Sequence, residues 1–284
     1  MYIILDSGST KTEMLVRQEG KADETLIFPG INPFYQTEEE IAALLFEHID
    51  EHIQGNDVEE TFFYGAGCSF PEKKAMVANA LKKRFPNSKI SVENDLLAAS
   101  RALFQDERGI ACIMGTGSNS CLYNGKEIEQ NVSPLGFILG DEGSGAVIGK
   151  KFVADCLKNQ MPQEIHDAFF EQMETSVPEV MERVYKKPFP NRYLASVCRF
   201  IYSYRETDYV QNLIRTSFTE FFVRNIRQYP ITNEKLGFVG SIAHYFSQEL
   251  TQVAQEQGYE IGLILKQPMA GLAQYHEMKK TTII

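Results

Sequence analysis

The chain has 284 residues, 43% of them hydrophobic, with 19 Phe and 13 Tyr, a length that corresponds to about two domains that can each bury a core. A net charge of −10 and a pI of about 5.1 exclude a protein that tracks nucleic acid on a basic stripe. Five scattered cysteines without a CxxC pair, the lack of a basic-then-apolar leader and the lack of an apolar run of about 20 residues point to a reduced, cytoplasmic protein without a membrane span.

The first predicted strand, Tyr2 to Leu5, runs into Asp6-Ser7-Gly8-Ser9-Thr10-Lys11-Thr12, and a second strand follows from Met14 to Val16. The turn holds one carboxylate, one glycine, a lysine and four hydroxyls. Gly8 can take φ > 0, successive turn N–H groups can form a nest for phosphate oxygens, and Asp6 at a strand end could hold Mg²⁺ through water. An ordinary polar hairpin turn explains the same residues. Thr25 to Phe28 reads as a third strand and Pro29-Gly30-Ile31-Asn32-Pro33 as a rigid loop, in which Asn32 bonds either the turn backbone or a ligand.

Thr37 and Glu40 have capping-box spacing, and the helix behind them places Ile41, Leu44, Leu45, His48, Ile49 and Ile53 on one face. His48 and His52 lack a third metal ligand and read as packing or surface residues. A strand from Thr61 to Tyr64 ends in Gly65-Ala66-Gly67-Cys68. A helix from Pro71 to Arg84 and a strand from Lys89 to Val92 lead to Glu93-Asn94-Asp95, and a helix runs from Leu96 to Phe104. Asp95 is either the cap of that helix or a functional carboxylate, with Asn94 able to cap instead. Strands and helices alternate, as α/β folds require.

The opening pattern recurs from Ile110. A strand to Met114 meets Gly115-Thr116-Gly117-Ser118-Asn119-Ser120, Cys121-Leu122-Tyr123 resumes the strand, and Asn124-Gly125 reads as a type I′ turn. This is neither a Walker A loop nor a dinucleotide fingerprint. Two such units suggest two similar domains facing a shared cleft. Gly140-Asp141-Glu142-Gly143-Ser144 precedes a helix from Ala146 to Leu157, whose first N–H groups would face an anion or a sugar hydroxyl. Residues 158 to 235 read as largely helical. One helix is marked by Tyr193 to Tyr202 and another by Val210 to Ile226, with an aromatic stripe that is core or, in part, a homodimer interface. A strand from Leu236 to Val239 enters Gly240-Ser241, a last strand spans Ile261 to Leu265, and a helix from Leu272 to Lys279 packs back on the first domain.

In order, Asp6 to Lys11, Glu93-Asn94-Asp95, Gly115 to Asn119, Gly140 to Ser144 and Gly237-Phe238-Val239-Gly240-Ser241 resemble the phosphate turns and companion motifs of the actin-like ATPase superfamily. Their spelling is similar to the N-acetylglucosamine kinase branch, which is grouped with the benzoyl-CoA-reductase-activator (BadF/BadG/BcrA/BcrD-type) ATPases. The resemblance spans residues 2 to about 275. It implies an α/β fold of two ribonuclease-H-like domains with an interdomain cleft, residues 1–108 (joined by the C-terminal helix 272–280) and 109–271. It implies ATP, contacted by Gly8, Ser9, Thr10, Lys11, Gly115, Thr116, Gly117, Gly240 and Ser241, with Mg²⁺ near Asp6. Asp95 is the implied catalytic base, and Asn32, Asn94, Ser118, Asn119, Gly136 and Asp141 the implied sugar contacts. The expected reaction is phosphorylation of a hydroxyl, C6, of N-acetylglucosamine, with N-acetylmuramate and glucosamine as alternatives. One departure bears on the sugar: Leu135-Gly136-Phe137-Ile138 stands where vertebrate-like members resemble Gly-Trp-Gly-His. Reductase-activating ATPases hold an iron–sulfur cluster through closely placed cysteines, which this chain lacks. An actin-type scaffold has no need of Asp95 or the Asp141-Glu142 pair.

Overall fold

Among the described residues ten strands form two five-stranded sheets of matching topology. The computed structural model describes residues 1–8, 10–49, 53–230 and 234–281, so that Ser9 and His52 lie outside it. In the first sheet β1 (Tyr2–Ser7), β2 (Lys11–Arg17), β3 (Glu24–Pro29), β4 (Glu60–Gly65) and β5 (Lys89–Asn94) stand in the order β3-β2-β1-β4-β5. The β1–β2 and β2–β3 pairs are antiparallel, and β1–β4 and β4–β5 are parallel. Ile3, Ile4 and Leu5 are fully buried, as a central strand covered on both faces demands. Both strands of the first hairpin outrun their apolar stretches: the ladder continues through Asp6↔Glu13 and Ser7↔Thr12. The turn itself is correspondingly short.

Helices α1 (Glu38–His48), α2 (Pro71–Arg84) and α3 (Asp95–Phe104) complete this part. The capping box is present in full, with Thr37 Oγ1 accepting from the Glu40 N–H and Glu40 Oε2 from the Thr37 N–H. His48, in the last turn of α1, stacks on Phe28 with ring centroids 5.9 Å apart, a packing role.

The second sheet contains β6 (Gly109–Met114), β7 (Ser118–Tyr123), β8 (Ile128–Val132), β9 (Lys235–Val239) and β10 (Ile261–Leu265), ordered β10-β9-β6-β7-β8. Again an antiparallel meander flanks two parallel pairings. Its helices are α4 (Gly136–Leu139), α5 (Gly145–Leu157), α6 (Gln163–Gln172), α7 (Val177–Tyr185), α8 (Pro190–Ser196), α9 (Cys198–Ser203), α10 (Asp208–Arg224), α11 (Ser241–Tyr245) and α12 (Ser247–Glu256). The single helix expected through Tyr193 and Tyr202 is two segments that change at Val197. There α8 is pressed on α5 so closely that a Cβ at Gly149 would lie 2.0 Å from the Leu194 carbonyl oxygen. The aromatic stripe of α10 is core: Phe218, Phe221 and Phe222 are fully buried with Phe238.

By its contacts the chain divides into Met1–Gln105 with Pro268–Ile284, and Asp106–Gln267. The last helix, α13 (Met269–Thr281), thus belongs with the first sheet. Gly271 permits its approach to α3, since a Cβ there would sit 2.4 Å from the Ala102 carbonyl oxygen. Gln105 Nε2 donates to the Gly271 carbonyl at 3.1 Å. Further along, His276 stacks on Phe62 with centroids 3.8 Å apart. Tyr64 Oη accepts from Arg101 Nη1 at 2.8 Å and lies 2.9 Å from His276 Nε2. Burial, with Arg101 and Lys280 nearby, pushes the His276 pKa down to about 3. The ring is neutral, and its tautomer decides which member of the Tyr64–His276 pair donates. Among the described residues no helix is long and apolar enough to cross a membrane.

Gly271→Val should lower stability by about 1–3 kcal/mol in denaturant unfolding, because the obstacle is backbone rather than a movable side chain. His276 sets a pH dependence. The unfolded imidazole takes up its proton near pH 6.5 and the folded one only near pH 3. The stability it contributes is therefore full above pH 6.5 and is lost as pH falls through that window. Thermal midpoints of His276→Phe should fall less steeply between those pH values than those of the wild type.

Candidate active site

In the first unit the parallel strands β1, β4 and β5 deliver their C-terminal ends along one edge: Asp6-Ser7, Gly65 and Asn94 are in register. Three loops leave this edge. The hairpin turn is closed by the Gly8 N–H donating to the Lys11 carbonyl at 3.0 Å, and the Thr10 carbonyl accepts from Gly30. Gly8 does not use the positive φ open to it, and its N–H is engaged within the turn. Thr10 is exposed with Lys11, whose Nζ is 3.8 Å from Glu13 Oε2.

Two of the four turn hydroxyls have an internal task. Ser7 Oγ accepts from the Ile31 N–H at 2.8 Å and lies 2.7 Å from Thr12 Oγ1, which donates to the Pro29 carbonyl at 3.1 Å. Both side chains are fully buried. They fasten the loop that carries Asn32 to the strand that carries Asp6. Asn32 Oδ1 accepts from the Phe34 N–H at 3.0 Å, the turn-bonding role weighed for it from sequence.

Asn94 takes the α3 cap, its side chain accepting from the Leu97 N–H at 2.8 Å. Asp95 is the first helical residue instead. Its half-buried carboxyl is pushed above the usual carboxylate range by burial, against hydrogen bonds from the N–H groups of Leu96 and of Asp95 itself. The Asp6 carboxyl is raised to about 7, first by burial, then by Asp95 and Glu13, with Lys11 opposing. Glu13, opposite Asp6 in the ladder, carries no motif signal; only its alternation along β2 could have placed it on the Asp6 face. Among the described residues no three His, Cys, Asp or Glu side chains meet as a direct metal cage. A crowded carboxylate pair with one nearby lysine still fits Mg²⁺, which keeps most of its shell in water and phosphate oxygens. Cys68 is fully buried, and burial raises its thiol pKa to about 12, so it is an inert neighbour of Asp95.

In the second unit the Gly115 N–H donates to the Gly117 carbonyl at 2.9 Å. The start of α5 corrects a sequence expectation. The Gly145 and Ala146 N–H groups donate to the Gly115 and Thr116 carbonyls at 2.8 and 3.0 Å, and Ser144 Oγ caps Val147. These donors hold the turn and do not face a ligand. Ser118 is likewise internal, its hydroxyl bonded to the Glu142 carbonyl at 2.8 Å. Asn119 Oδ1 accepts from the Ser120 N–H and from Asn131 Nδ2.

Asp141 adopts φ 55°, left-handed and strained for a non-glycine residue. The Pro134 carbonyl, accepting from its N–H at 2.8 Å, holds it there. Its carboxyl pKa is raised to about 6, chiefly by burial, against a hydrogen bond from the Ser118 N–H. Gly117 makes room, since a Cβ there would lie 3.0 Å from Asp141 Oδ2. The adjacent acid has a separate task. Glu142 is buried and anchors the loop to α10 through Arg224 Nε at 2.9 Å and Asn225 Nδ2 at 3.2 Å. Gly136 opens the short helix α4 at φ 74° in open space. Gly240, at φ 135°, is required by packing: a Cβ would meet the Met114 carbonyl oxygen at 2.3 Å. Ser241 is exposed beside it.

The doubled sheet with these turns is the actin-like ATPase fold. A comparison with protein-family models finds no match. The crystal structure of a Porphyromonas gingivalis protein proposed to be an N-acetylglucosamine kinase has TM-score 0.94 and 44% identity, over 97% of this chain and 98% of that one. A Chromobacterium violaceum protein of the same proposed identity shares the fold, with TM-score 0.72 and 12% identity over 97% of this chain and 99% of its own. The N-acetylmuramic acid/N-acetylglucosamine kinase of Clostridium acetobutylicum is 32% identical over 165 residues, 56% of this chain. That match spans 54%, about half, of the curated relative's length. The chain belongs to the N-acetylglucosamine-kinase-like family of the actin-like ATPases.

Ser7→Ala should leave the Ile31 N–H and the Thr12 hydroxyl short of a buried partner. A loss of about 1–3 kcal/mol in urea unfolding is expected.

Proposed function

We propose that the chain is an ATP-dependent kinase that phosphorylates a hydroxyl, C6 by family resemblance, of an amino sugar, N-acetylglucosamine or N-acetylmuramic acid. The observation that carries this reading is Asp95, a half-buried carboxyl of raised pKa at the start of α3, electrostatically coupled to Asp6. Phosphoryl transfer depends on positioning and charge neutralisation, with little covalent chemistry. Asp95 orients the attacking hydroxyl and accepts its proton late in the transfer. Asp6, with Glu13 opposite it in the ladder, would hold Mg²⁺ through water. When bound, that ion neutralises phosphate charge.

Thr10, Lys11, Thr116 and Gly117 are the proposed phosphate contacts, and Gly240 and Ser241 lie near the nucleoside. Asn32, Asn119 and Asp141 are the proposed sugar contacts. Ser118 and Asn94 support these indirectly, one through the Glu142 carbonyl and one through the α3 cap. The names of the Porphyromonas and Clostridium relatives support the sugar class. Five free, buried cysteines support a reducing, cytoplasmic setting.

Coupled ADP release tests the reading, with Mg²⁺-ATP and a panel of N-acetylglucosamine, N-acetylmuramate and glucosamine. One amino sugar should stimulate turnover strongly. Asp95→Asn should lower kcat by about 10²–10⁴-fold with ATP affinity retained. Slow hydrolysis indifferent to every sugar would favour an ATPase without a sugar substrate.

A further inference from the structure

Beside Asn32 the first unit carries an aromatic ledge that the proposed transfer does not use. Phe34 and Phe70 are 53% and 52% exposed, and their rings meet edge to face with centroids 6.2 Å apart. They come from different loops, Phe34 after β3 and Phe70 just before α2. Gly67 brings the loops together. At φ 82° it lies so close that a Cβ would be 2.5 Å from Asn32 Oδ1 and 2.8 Å from Phe34 Cδ2. The ledge is therefore continuous with Asn32, and the same loop ends at Cys68, whose thiol feels the Asp95 charge.

A cation completes the ledge. Lys73 Nζ lies 5.2 Å from the Phe34 centroid and donates one hydrogen bond, to the Pro33 carbonyl at 2.6 Å. Its neighbour Lys74 is paired with Glu93. Among the described residues Lys73 has no carboxylate within ion-pair distance, although acids outnumber bases in the chain by 38 to 28. Two half-exposed rings and a half-buried ammonium without a counter-ion suit a ligand that is apolar near its root and anionic at its tip. The rings would cover the apolar part, and the remaining ammonium donors would take a carboxylate in charge-assisted hydrogen bonds.

We propose that Phe34, Phe70 and Lys73 form a subsite for a carboxylate-bearing substituent on the sugar. The substrate class is then an N-acetylated amino sugar with an acidic ether side chain. The inference rests on the kinase reading and narrows it. Asn32 meets the sugar ring, the Phe34–Phe70 pair covers the substituent's methyl and ether carbons, and Lys73 receives its carboxylate. A neutral amino sugar reaches the same ring contacts without using Lys73.

Initial rates and titration calorimetry with N-acetylmuramic acid and N-acetylglucosamine, on the full chain, test this. Lys73→Met should raise both KM and Kd for N-acetylmuramic acid about tenfold, the loss of one charged hydrogen bond. It should leave kcat with that sugar, and both constants for N-acetylglucosamine, within about twofold. Lys73→Gln, which keeps a donor towards Pro33 but no charge, should behave as Lys73→Met does and guards against a folding defect. Equal losses for the two sugars would make Lys73 a structural clamp and overturn the subsite, with the kinase reading intact. Selective loss of N-acetylmuramic acid binding in a protein that phosphorylates neither sugar would sink the kinase reading and sustain the subsite. Failure of the wild type to bind N-acetylmuramic acid, with N-acetylglucosamine phosphorylated normally, would overturn the subsite outright.

Discussion

Parallel pairing decides where this protein can do chemistry. A strand that runs parallel to its neighbour must be reached by a crossover, so all the strands of the set end on the same edge. In the first unit that rule brings the ends of β1, β4 and β5 together with their loops. Asp6, the Gly65–Cys68 loop and Asp95 are far apart in sequence and neighbours on this edge. Open α/β sheets place ligands outside the carboxyl ends of their strands for this reason. The antiparallel meander on the other side of β1 adds the hairpin turn to the same edge. Everything polar in the candidate site depends on that registration, because none of these loops is long enough to find the others by itself.

Local signals were the legible part. Pro71 and the Thr37–Glu40 box fix helix starts through their own backbone chemistry, and both appear where the spacing put them. The doubled strand–turn–strand pattern disclosed two related sheets, because apolar runs flanking glycine and hydroxyl turns are a sequence-local feature. Long-range partners were not legible. Ser7 and Thr12 belong to the same hydroxyl-rich turn motif, and nothing in it discloses that they bond across the hairpin and to the loop around Ile31. The α5 start looked like an anion site, yet its donors are taken by the Gly115 and Thr116 carbonyls. Which acceptor reaches a helix start is decided by tertiary packing, and composition carries no trace of it. Glu13 belongs to the same class: its meaning comes only from standing opposite Asp6.

The two units use charge in opposite ways. In the first, Asp6, Glu13 and Asp95 share one region with Lys11 as their nearby cation, a cluster that favours binding positive charge. In the second, Asp141 and Glu142 are adjacent but turned to separate partners. Glu142 is neutralised by Arg224 and bonded by Asn225, while Asp141 is held in a strained conformation by the Pro134 carbonyl and its carboxyl accepts from the Ser118 N–H. An anchored acid beside a strained one is how a short loop keeps a carboxylate aimed without a long element behind it.

The discontinuous first unit has a consequence for the order in which the protein is made. Residues 106–267 are one uninterrupted stretch with its own sheet and core. They can mature on the ribosome as soon as they emerge, since domains generally fold as units during synthesis. The first unit emerges earlier but lacks α13, so the Ala102 backbone, Phe62 and the Tyr64–Arg101 pair wait for Gly271 and His276. The half that is translated first is therefore the half that is finished last. Any chaperone that attends this chain would be expected to hold the β4–α3 surface until the final turn of helix arrives.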